Sequence, residues 1–398
     1  MPYYTSLKRF TKSSERKRAV RGLQRLRSQL DAEIPDRTRT KTLIIGTWNI
    51  RNFDDNRFQN GLRTQEDFLY IAEIISRFDV IAVQEICRDL RPLKSILRIL
   101  GEMDYKYIIT DPTEGRGGND ERLGFIYDTS KVWFQGIAGE LVLPDNMQII
   151  DGEKKRQFSR TPFMCSFQSG WFKFLFSTVH IYFGENSGPK YDRRVEEIDK
   201  VAKFLSDRAE RDDRNHILVG DFNIKKQGSR GYNALEKHGF KIFDNNEGSN
   251  KDQTKFYDQI SFLVREQELR PRTGRKSKGV FQFFNSIFRQ EDFESYIPDL
   301  KKVIQDKIAR LNKELAKDKK SLEKTNSENR KEKLRKSIAS KKEAISDWRN
   351  HIKNTTAAKS KLKQYYLKEW RTFHASDHLP LWIELEIDFS ADYLENLS

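Results

Sequence analysis

Cysteine is scarce: Cys87 and Cys165 are the only two in 398 residues. They offer no zinc-ligand spacing and no disulfide framework. A single bridge is compatible with the sequence, but small buried or free thiols in a reducing, cytoplasmic setting are the better reading. Long apolar runs are missing as well. No stretch approaches the roughly 18 apolar residues of a membrane-spanning helix. The N-terminus lacks the apolar segment of a secretory signal. Histidine is rare, with six in the chain. Aromatic residues, by contrast, make up 12% of the chain. With many Ile, Leu and Val, they supply a large core. Charged residues at 33% and a mean hydropathy of −0.79 keep much of the chain wet.

The formal charge of +15 is unevenly spread. Residues 1–42 hold 12 Lys and Arg against 4 Asp and Glu, and residues 301–369 hold 22 against 9. The segments therefore carry +8 and +13, leaving −6 for the rest. An acidic body suits a cation site, and basic attachments suit a polyanion. We accordingly divide the chain into a basic extension at 1–41, a body at 42–297 and 371–390, and a basic insertion at 298–370. In the extension, Val20, Leu23, Leu26 and Leu30 recur at helical spacing. They predict a solvated helix, a nucleic-acid-binding arm being the functional alternative and a mitochondrial transit peptide a weaker third.

From Lys41 onward, strand and helix patterns alternate. Strands are predicted at Ile44–Trp48, Asp79–Gln84, Leu123–Tyr127, Ile217–Gly220, Ile260–Val264 and Leu381–Ile387. Helices are predicted at Gln65–Arg77, capped by Thr64, at Leu90–Leu100, stopped by Gly101, and at Tyr191–Arg208. Thr113–Asn119 reads as a loop. Pro162–Gln168 and Trp171–His180 flank a two-residue turn, Ser169–Gly170. Helices between strands, with an antiparallel pair, indicate a mixed-sheet α/β body. In the insertion, Leu300, Ile304, Ile308, Leu311, Leu315 and Leu322 form one helical stripe. Leu334, Ile338, Ile345, Trp348 and Ile352 form another. Thr325–Asn329 between them reads as a turn, so the insertion is an antiparallel helical (coiled-coil) hairpin, followed by a short helix around Leu362, Tyr366 and Trp370.

Polar clusters gather at the ends of the apolar runs: Asn49, Glu85, His180, Asp221 with Asn223, and Asp377 with His378. The Asp-x-Asn step puts two oxygen-bearing side chains on the same side of a strand. Few carboxylates, an amide oxygen and open positions for water and phosphate are what Mg²⁺ prefers. The two histidines have candidate carboxylate partners, Glu121 for His180 and Asp258 for His378. Such pairs fix a tautomer and suit acid–base work on a phosphodiester.

The ordered segments Trp48-Asn49-Ile50-Arg51, Gln84-Glu85, Glu121-Arg122, Ser159-Arg160-Thr161-Pro162, Val179-His180, Gly220-Asp221-Phe222-Asn223, Tyr257-Asp258 and Ser376-Asp377-His378-Leu379-Pro380 resemble the endonuclease/exonuclease/phosphatase superfamily, and within it the deoxyribonuclease I branch. The resemblance implies a four-layer α/β sandwich interrupted by the hairpin. It implies a Mg²⁺ site, with Mn²⁺ as a substitute, in which Glu85 is the principal ligand near Asn49, and Asp221, Asn223 and Asp377 complete the metal and phosphate site. Glu121–His180 and Asp258–His378 resemble the two acid–histidine dyads. Arg51 and Arg160 resemble phosphate-contacting arginines, and Arg88 resembles one that reads a groove; surface ion pairs are the plainer reading of these arginines. The implied reaction is phosphodiester hydrolysis, with DNA as the expected partner. A phosphomonoesterase or phospholipid phosphodiesterase of the same fold is the alternative, and the insertion could equally serve a protein partner or self-association. The sequence also departs from its relatives. Asn119 stands where the branch has a stacking tyrosine, and the secreted branch's disulfides are missing. Arg51 replaces the acidic residue of abasic-site endonucleases. Phe256-Tyr257-Asp258-Gln259 replaces the Trp-Cys-Asp-Arg of inositol phosphatases.

Overall fold

The computed structural model describes residues 2–113, 119–212, 214–263, 270–274, 276–395 and 397. The loop at 113–119 and the end of the 260–264 strand therefore fall partly outside the described residues. The chain forms two compact units: Met1–Asp55 with Thr64–Ile287 and Ala375–Ser398, and Asn56–Arg63 with Phe288–His374.

The first unit is built on two main sheets. One runs β13 (Arg270–Pro271), β15 (Leu381–Glu386), β1 (Thr42–Phe53), β2 (Val80–Ile86), β4 (Arg122–Asp128) and β3 (Tyr105–Ile109), with β14 (Lys278–Val280) also on β15. The other runs β11 (Lys241–Ile242), β12 (Asp258–Leu263), β10 (Asn215–Asp221), β9 (Phe172–His180), β8 (Phe163–Ser169) and β5 (Trp133–Glu140). β6 (Ile149–Asp151) and β7 (Lys154–Arg156) make a separate small hairpin. Aromatic side chains fill the space between the sheets: Phe125 of β4 packs on Phe163, Phe167 and Phe176 at ring separations of 5.6, 5.7 and 5.0 Å. Each fully buried ring contributes about 1.5–3 kcal/mol. Helix α4 (Pro189–Ala209) covers the outer face of the second sheet through Ile198, Val201 and Leu205, which join Leu175, Val179 and Leu218 in one cluster. Helix α5 (Arg230–Glu236) adds Ala234 and Leu235. On the other side, α2 (Gln65–Ile75) packs with α3 (Arg91–Leu100). The result is a layered α/β/β/α sandwich.

The predicted elements fall in place with shifted ends. Thr64 and Asp67 form the capping box that starts α2. Gly101 stops α3 with a φ of 103°, which favours glycine. The β8–β9 pairing joins Ser169 to Phe172, so the turn is Gly170–Trp171 rather than Ser169–Gly170. Gly170 supplies the positive φ of 55° that a tight turn needs.

The basic N-terminus is not a detached arm. Helix α1 (Ser13–Glu33) buries Ala19, Gly22, Leu23, Leu26 and Leu30, and Val20 lies at the edge of this face. A Cβ on Gly22 would lie 2.0 Å from the Tyr70 hydroxyl, so glycine permits the close approach to α2. Arg18 grips Glu66 with Nε and Nη2 at 2.9 and 2.7 Å from Oε2. Arg37 pairs with Asp79 and Asp128.

The second unit begins earlier than the pattern suggests. Helix α6 (Phe293–Lys324), the turn Thr325–Ser327 and helix α7 (Glu328–His351) form the expected hairpin, followed by α8 (Thr356–Tyr365) and a π turn at Tyr366–Trp370. Residues 56–63 belong here because Asn60 Oδ1 accepts from both Lys307 Nζ and Tyr365 OH, each at 2.8 Å. Leu300, Ile304 and Ile345 are buried, whereas Leu311, Leu315, Leu322, Leu334 and Ile338 are half-buried. Among the described residues, no helix is long and apolar enough to cross a membrane.

Candidate active site

Strand register in the second sheet produces a row of functional groups. Asp221, the last residue of β10, lies opposite His180 on parallel β9 and opposite Asp258 on antiparallel β12. Gly220 precedes it with a φ of 128°, and a Cβ there would sit 2.1 Å from the Val179 carbonyl oxygen. Only glycine lets β10 pass β9 this closely. Asp221 is nearly fully buried. Its Oδ1 accepts from the Asn223 amide at 2.8 Å, and its Oδ2 accepts from Asn49 Nδ2 at 3.0 Å. The same Oδ2 stands 3.6 Å from His180 Nε2 and 3.8 Å from His378 Nε2. One carboxylate oxygen thus faces both imidazoles.

The two dyads differ in quality. His378 Nδ1 and Asp258 Oδ2 form a 2.7 Å hydrogen bond. Burial pushes the Asp258 carboxyl up against the pull of His378. Burial pushes His378 down, but Asp258 and then Asp221 more than offset it and hold the imidazole well above its ordinary range. Glu121 Oε2 lies 3.3 Å from His180 Nδ1 without hydrogen-bond geometry, and Nδ1 has no other partner. That same oxygen accepts from Arg160 Nε at 2.6 Å. Burial raises the Glu121 carboxyl, yet His180 and then Arg160 outweigh it and lower it to about 2.

The first sheet contributes its share through a bulge. β1 and β2 pair regularly to Asn49 and Gln84, then slip before Phe53 and Ile86. Within the slip, Asn52 and Glu85 both adopt positive φ, 46° and 62°. The Asn52 amide donates to Glu85 Oε2 at 2.7 Å. Ser376 pins this strand to the segment bearing His378. Its Oγ donates to Asn49 O at 2.7 Å and accepts from the amides of Arg51 and His378 at 3.2 and 3.0 Å. Arg51 Nη1 lies 3.5 Å from Asp377 Oδ2.

The oxygen-rich set fits a hard cation. Asn49 Oδ1 is buried and has no hydrogen-bond partner, an orphan that a cation would satisfy. Ligand atoms of Asp221, Asp258 and His378 also lie within 4.8 Å of one another. Asp258 is already bonded to His378 there, so this trio is a dyad facing a carboxylate more than a cage. Of the expected metal and phosphate ligands, Asn49, Asp221 and Asn223 are joined by hydrogen bonds. Glu85 meets Asn52, and Asp377 meets Arg51. Arg160 is buried on Glu121, whereas Arg88 is exposed and pairs with Asp120 at 3.0 Å.

Beyond Asn223 the strand end opens into a cavity of about 140 Å³ lined by Tyr191, Arg194, Asn223, Lys225, Lys226 and Ser229 among others. Sequence pattern gave no hint of Asn52, Ser376 as a pin, or Arg194. Their roles depend on backbone geometry and on an α4 residue that reads simply as surface charge. Buried Cys87 and Cys165 are free thiols.

Fold and site together define the class of phosphoester hydrolases. The chain belongs to the Endonuclease/Exonuclease/phosphatase family, whose pattern matches residues 46–263. Deoxyribonuclease-1 of Rattus norvegicus is 36% identical over 97 residues, 23% of this chain and 32% of that protein. Deoxyribonuclease-1 of Canis lupus familiaris is 28% identical over 191 residues, 46% of this chain and 60% of that protein. The chain thus spans about a third and about three fifths of the curated relatives it matches. Among solved structures, a mannosyl-6-phosphatase of Bacteroides thetaiotaomicron is 20% identical, with 60% of this chain and 90% of that one covered and a TM-score of 0.45. The human Nocturnin catalytic domain is 12% identical, with 58% and 85% covered and a TM-score of 0.41.

Proposed function

We propose that this protein is a Mg²⁺-dependent phosphodiesterase, an endonuclease that hydrolyses DNA. The observation that carries the reading is Asp221 Oδ2 facing two imidazole nitrogens at 3.6 and 3.8 Å, with Asp258 behind one ring and Glu121 behind the other. Asn49, Glu85, Asp221, Asn223 and Asp377 would hold the cation, and Mn²⁺ could substitute. The chemistry supplied by a bound cation is neutralisation of charge on the scissile phosphate. The chain's own groups do the rest. His378, oriented by Asp258, or else Asp221, serves the attacking water. His180, with Glu121 behind it, gives a proton to the leaving oxygen. Arg51 and Arg160 supply positive charge for the phosphate. Arg88, exposed at the surface beside Asp120, would read a groove of the nucleic acid.

Likeness to two deoxyribonucleases and the basic hairpin support DNA over a small ester. Buried free thiols support a reducing, cytoplasmic location. The test is nicking of supercoiled plasmid in Mg²⁺, in EDTA, and by Glu85→Ala and His378→Ala. We expect each substitution and EDTA to lower the rate by at least about 10²-fold. Undiminished cleavage by both variants would overturn the reading. Release of phosphate from small monoesters, with plasmid intact, would replace it with a phosphomonoesterase.

A further inference from the structure

Beside the catalytic row, Arg194 reaches from α4 into the protein with only 2% of its surface exposed. Its guanidinium donates to the Asn223 carbonyl at 2.8 Å and to the carbonyls of Phe183 and Glu185, and its Nε has no hydrogen-bond partner. None of these partners carries charge. The acids on the flanking segments are engaged elsewhere: Glu185 with Lys190, and Asp192 with Arg230, both at 2.6 Å. Two further cations follow Asn223 directly. Lys225 is half-buried and Lys226 exposed, and among the described residues neither side chain makes an ion pair or hydrogen bond, the Lys226 carbonyl alone accepting from the Ser229 amide. Lys226 alone would be an ordinary solvated lysine. A nearly buried arginine with no carboxylate bonded to it, Asp221 acting on it only through space, and lining the same small cavity as two lysines with unpaired side chains, is a different matter, because buried charge is costly without a close countercharge.

We propose that Lys225, Lys226 and Arg194 form a subsite for a second phosphate group, the one next to the scissile phosphate on the same strand. The inference rests on the phosphodiesterase reading above. Asn223 places the subsite. Its amide binds Asp221 in the catalytic row, while its side chain lines the cavity. A phosphate held by the lysines therefore neighbours the reacting one. Arg194 acts as a positioning residue, fixing the Asn223 backbone and adding positive charge beneath the cavity. Such a subsite favours a polynucleotide strand over any ester with a single phosphate.

The experiment compares a dinucleotide with one phosphodiester and a trinucleotide with two, cleaved by wild type, K225Q/K226Q and the charge-retaining K225R/K226R. Wild type should prefer the trinucleotide in kcat/KM by about tenfold, the size of one charge-assisted contact. K225Q/K226Q should bring that ratio near one, and K225R/K226R should restore it. A preference that survives K225Q/K226Q, or its absence in wild type, overturns the subsite while leaving the nuclease reading intact. If wild type cleaves neither compound, plasmid nicking alone decides the nuclease reading, and the second arm decides the subsite. Calorimetric titration of inorganic phosphate in EDTA should show binding to wild type that weakens about tenfold or more in K225Q/K226Q. Equal affinity, or no binding to wild type, overturns it.

Discussion

Ser376 concentrates three hydrogen bonds on one hydroxyl, to the carbonyl of Asn49 and the amides of Arg51 and His378. It is buried, and removal of its oxygen orphans all three groups, where water could replace the missing bonds only by entering the site. Ser376→Ala should therefore lower unfolding stability by about 1–3 kcal/mol. It should also loosen Asn49 relative to His378, raising the Mg²⁺ concentration needed for half-maximal activity, and Ser376→Thr should recover much of the loss. Urea unfolding and a Mg²⁺ titration of the nicking rate read both effects; unchanged curves in both would remove the positioning role. The same serine shows where residue-level reading of the sequence stops. Asp221, His180, Asp258 and His378 are conspicuous because rare or charged residues end apolar runs. Ser376 and Asn52 are common polar residues whose importance arises from backbone amides brought together by a bulge and a chain crossing.

Elements carry the site through register. Aligning β9, β10 and β12 at one level puts His180, Asp221 and Asp258 side by side, and the β1–β2 slip turns Asn52 toward Glu85. Strand periodicity in the sequence marked these strands, but no periodicity states which residue sits opposite which. The same limit explains the turn at Gly170–Trp171, one position from expectation, and α1, whose small Ala19 and Gly22 do not advertise a packed face. In the second unit, Lys307 is the element-scale surprise. It lies on the apolar side of α6, over the rings of Trp348 and Tyr365 at 4.4 and 4.8 Å, and bonded to Asn60. Burial pushes its ammonium down to about 8. Its folded value lies below its unfolded one of about 10.4. The folded protein thus binds fewer protons between these values, and stability rises with pH there. Lys307 alone should add stability from roughly pH 8 to 9.5, with a slope no greater than about 1.4 kcal/mol per pH unit; the buried Cys165 thiol, pushed up to about 12, works in the opposite direction, so the effect is read as the urea midpoint of wild type minus that of Lys307→Met. Above that range unfolded tyrosines ionise while Tyr365, pushed up by burial, resists, which reverses the trend. Lys307→Met leaves Tyr365 on Asn60, and the difference should grow with pH over this window; a difference that stays constant rules out Lys307 as a source of pH dependence.

At the scale of the molecule, the two basic segments have different fates. Arg18 and Arg37 in the N-terminal segment are consumed by Glu66, Asp79 and Asp128. The hairpin keeps its charge. Residues 313–342 hold 12 Lys and Arg against 5 Asp and Glu. Lys331, Lys336 and Lys341 pair with acids, whereas Lys313, Lys317, Lys319, Lys320, Lys324, Arg330, Lys333, Arg335 and Lys342 form no ion pair among the described residues. A long antiparallel pair with so little buried apolar surface gains modest stability from packing, so its sequence is better explained by what its charges meet. Replacing 313–342 with a short Gly-Ser turn removes seven net positive charges while keeping Lys307, Ile345 and Trp348, which pack the base of the unit. If the arm grips DNA, affinity should fall at low salt, and the slope of log K against log[salt] should shrink by about 0.9 for each phosphate that the arm neutralises in the intact protein. Cleavage of a trinucleotide, too short to need a distant grip, should keep its rate. Unchanged plasmid affinity and slope, with disappearance of a self-associated form in analytical ultracentrifugation, would make the arm an assembly element instead. The salt slope separates these outcomes because counterion release reports phosphates neutralised, whereas a protein–protein interface would leave the DNA ion atmosphere as it was.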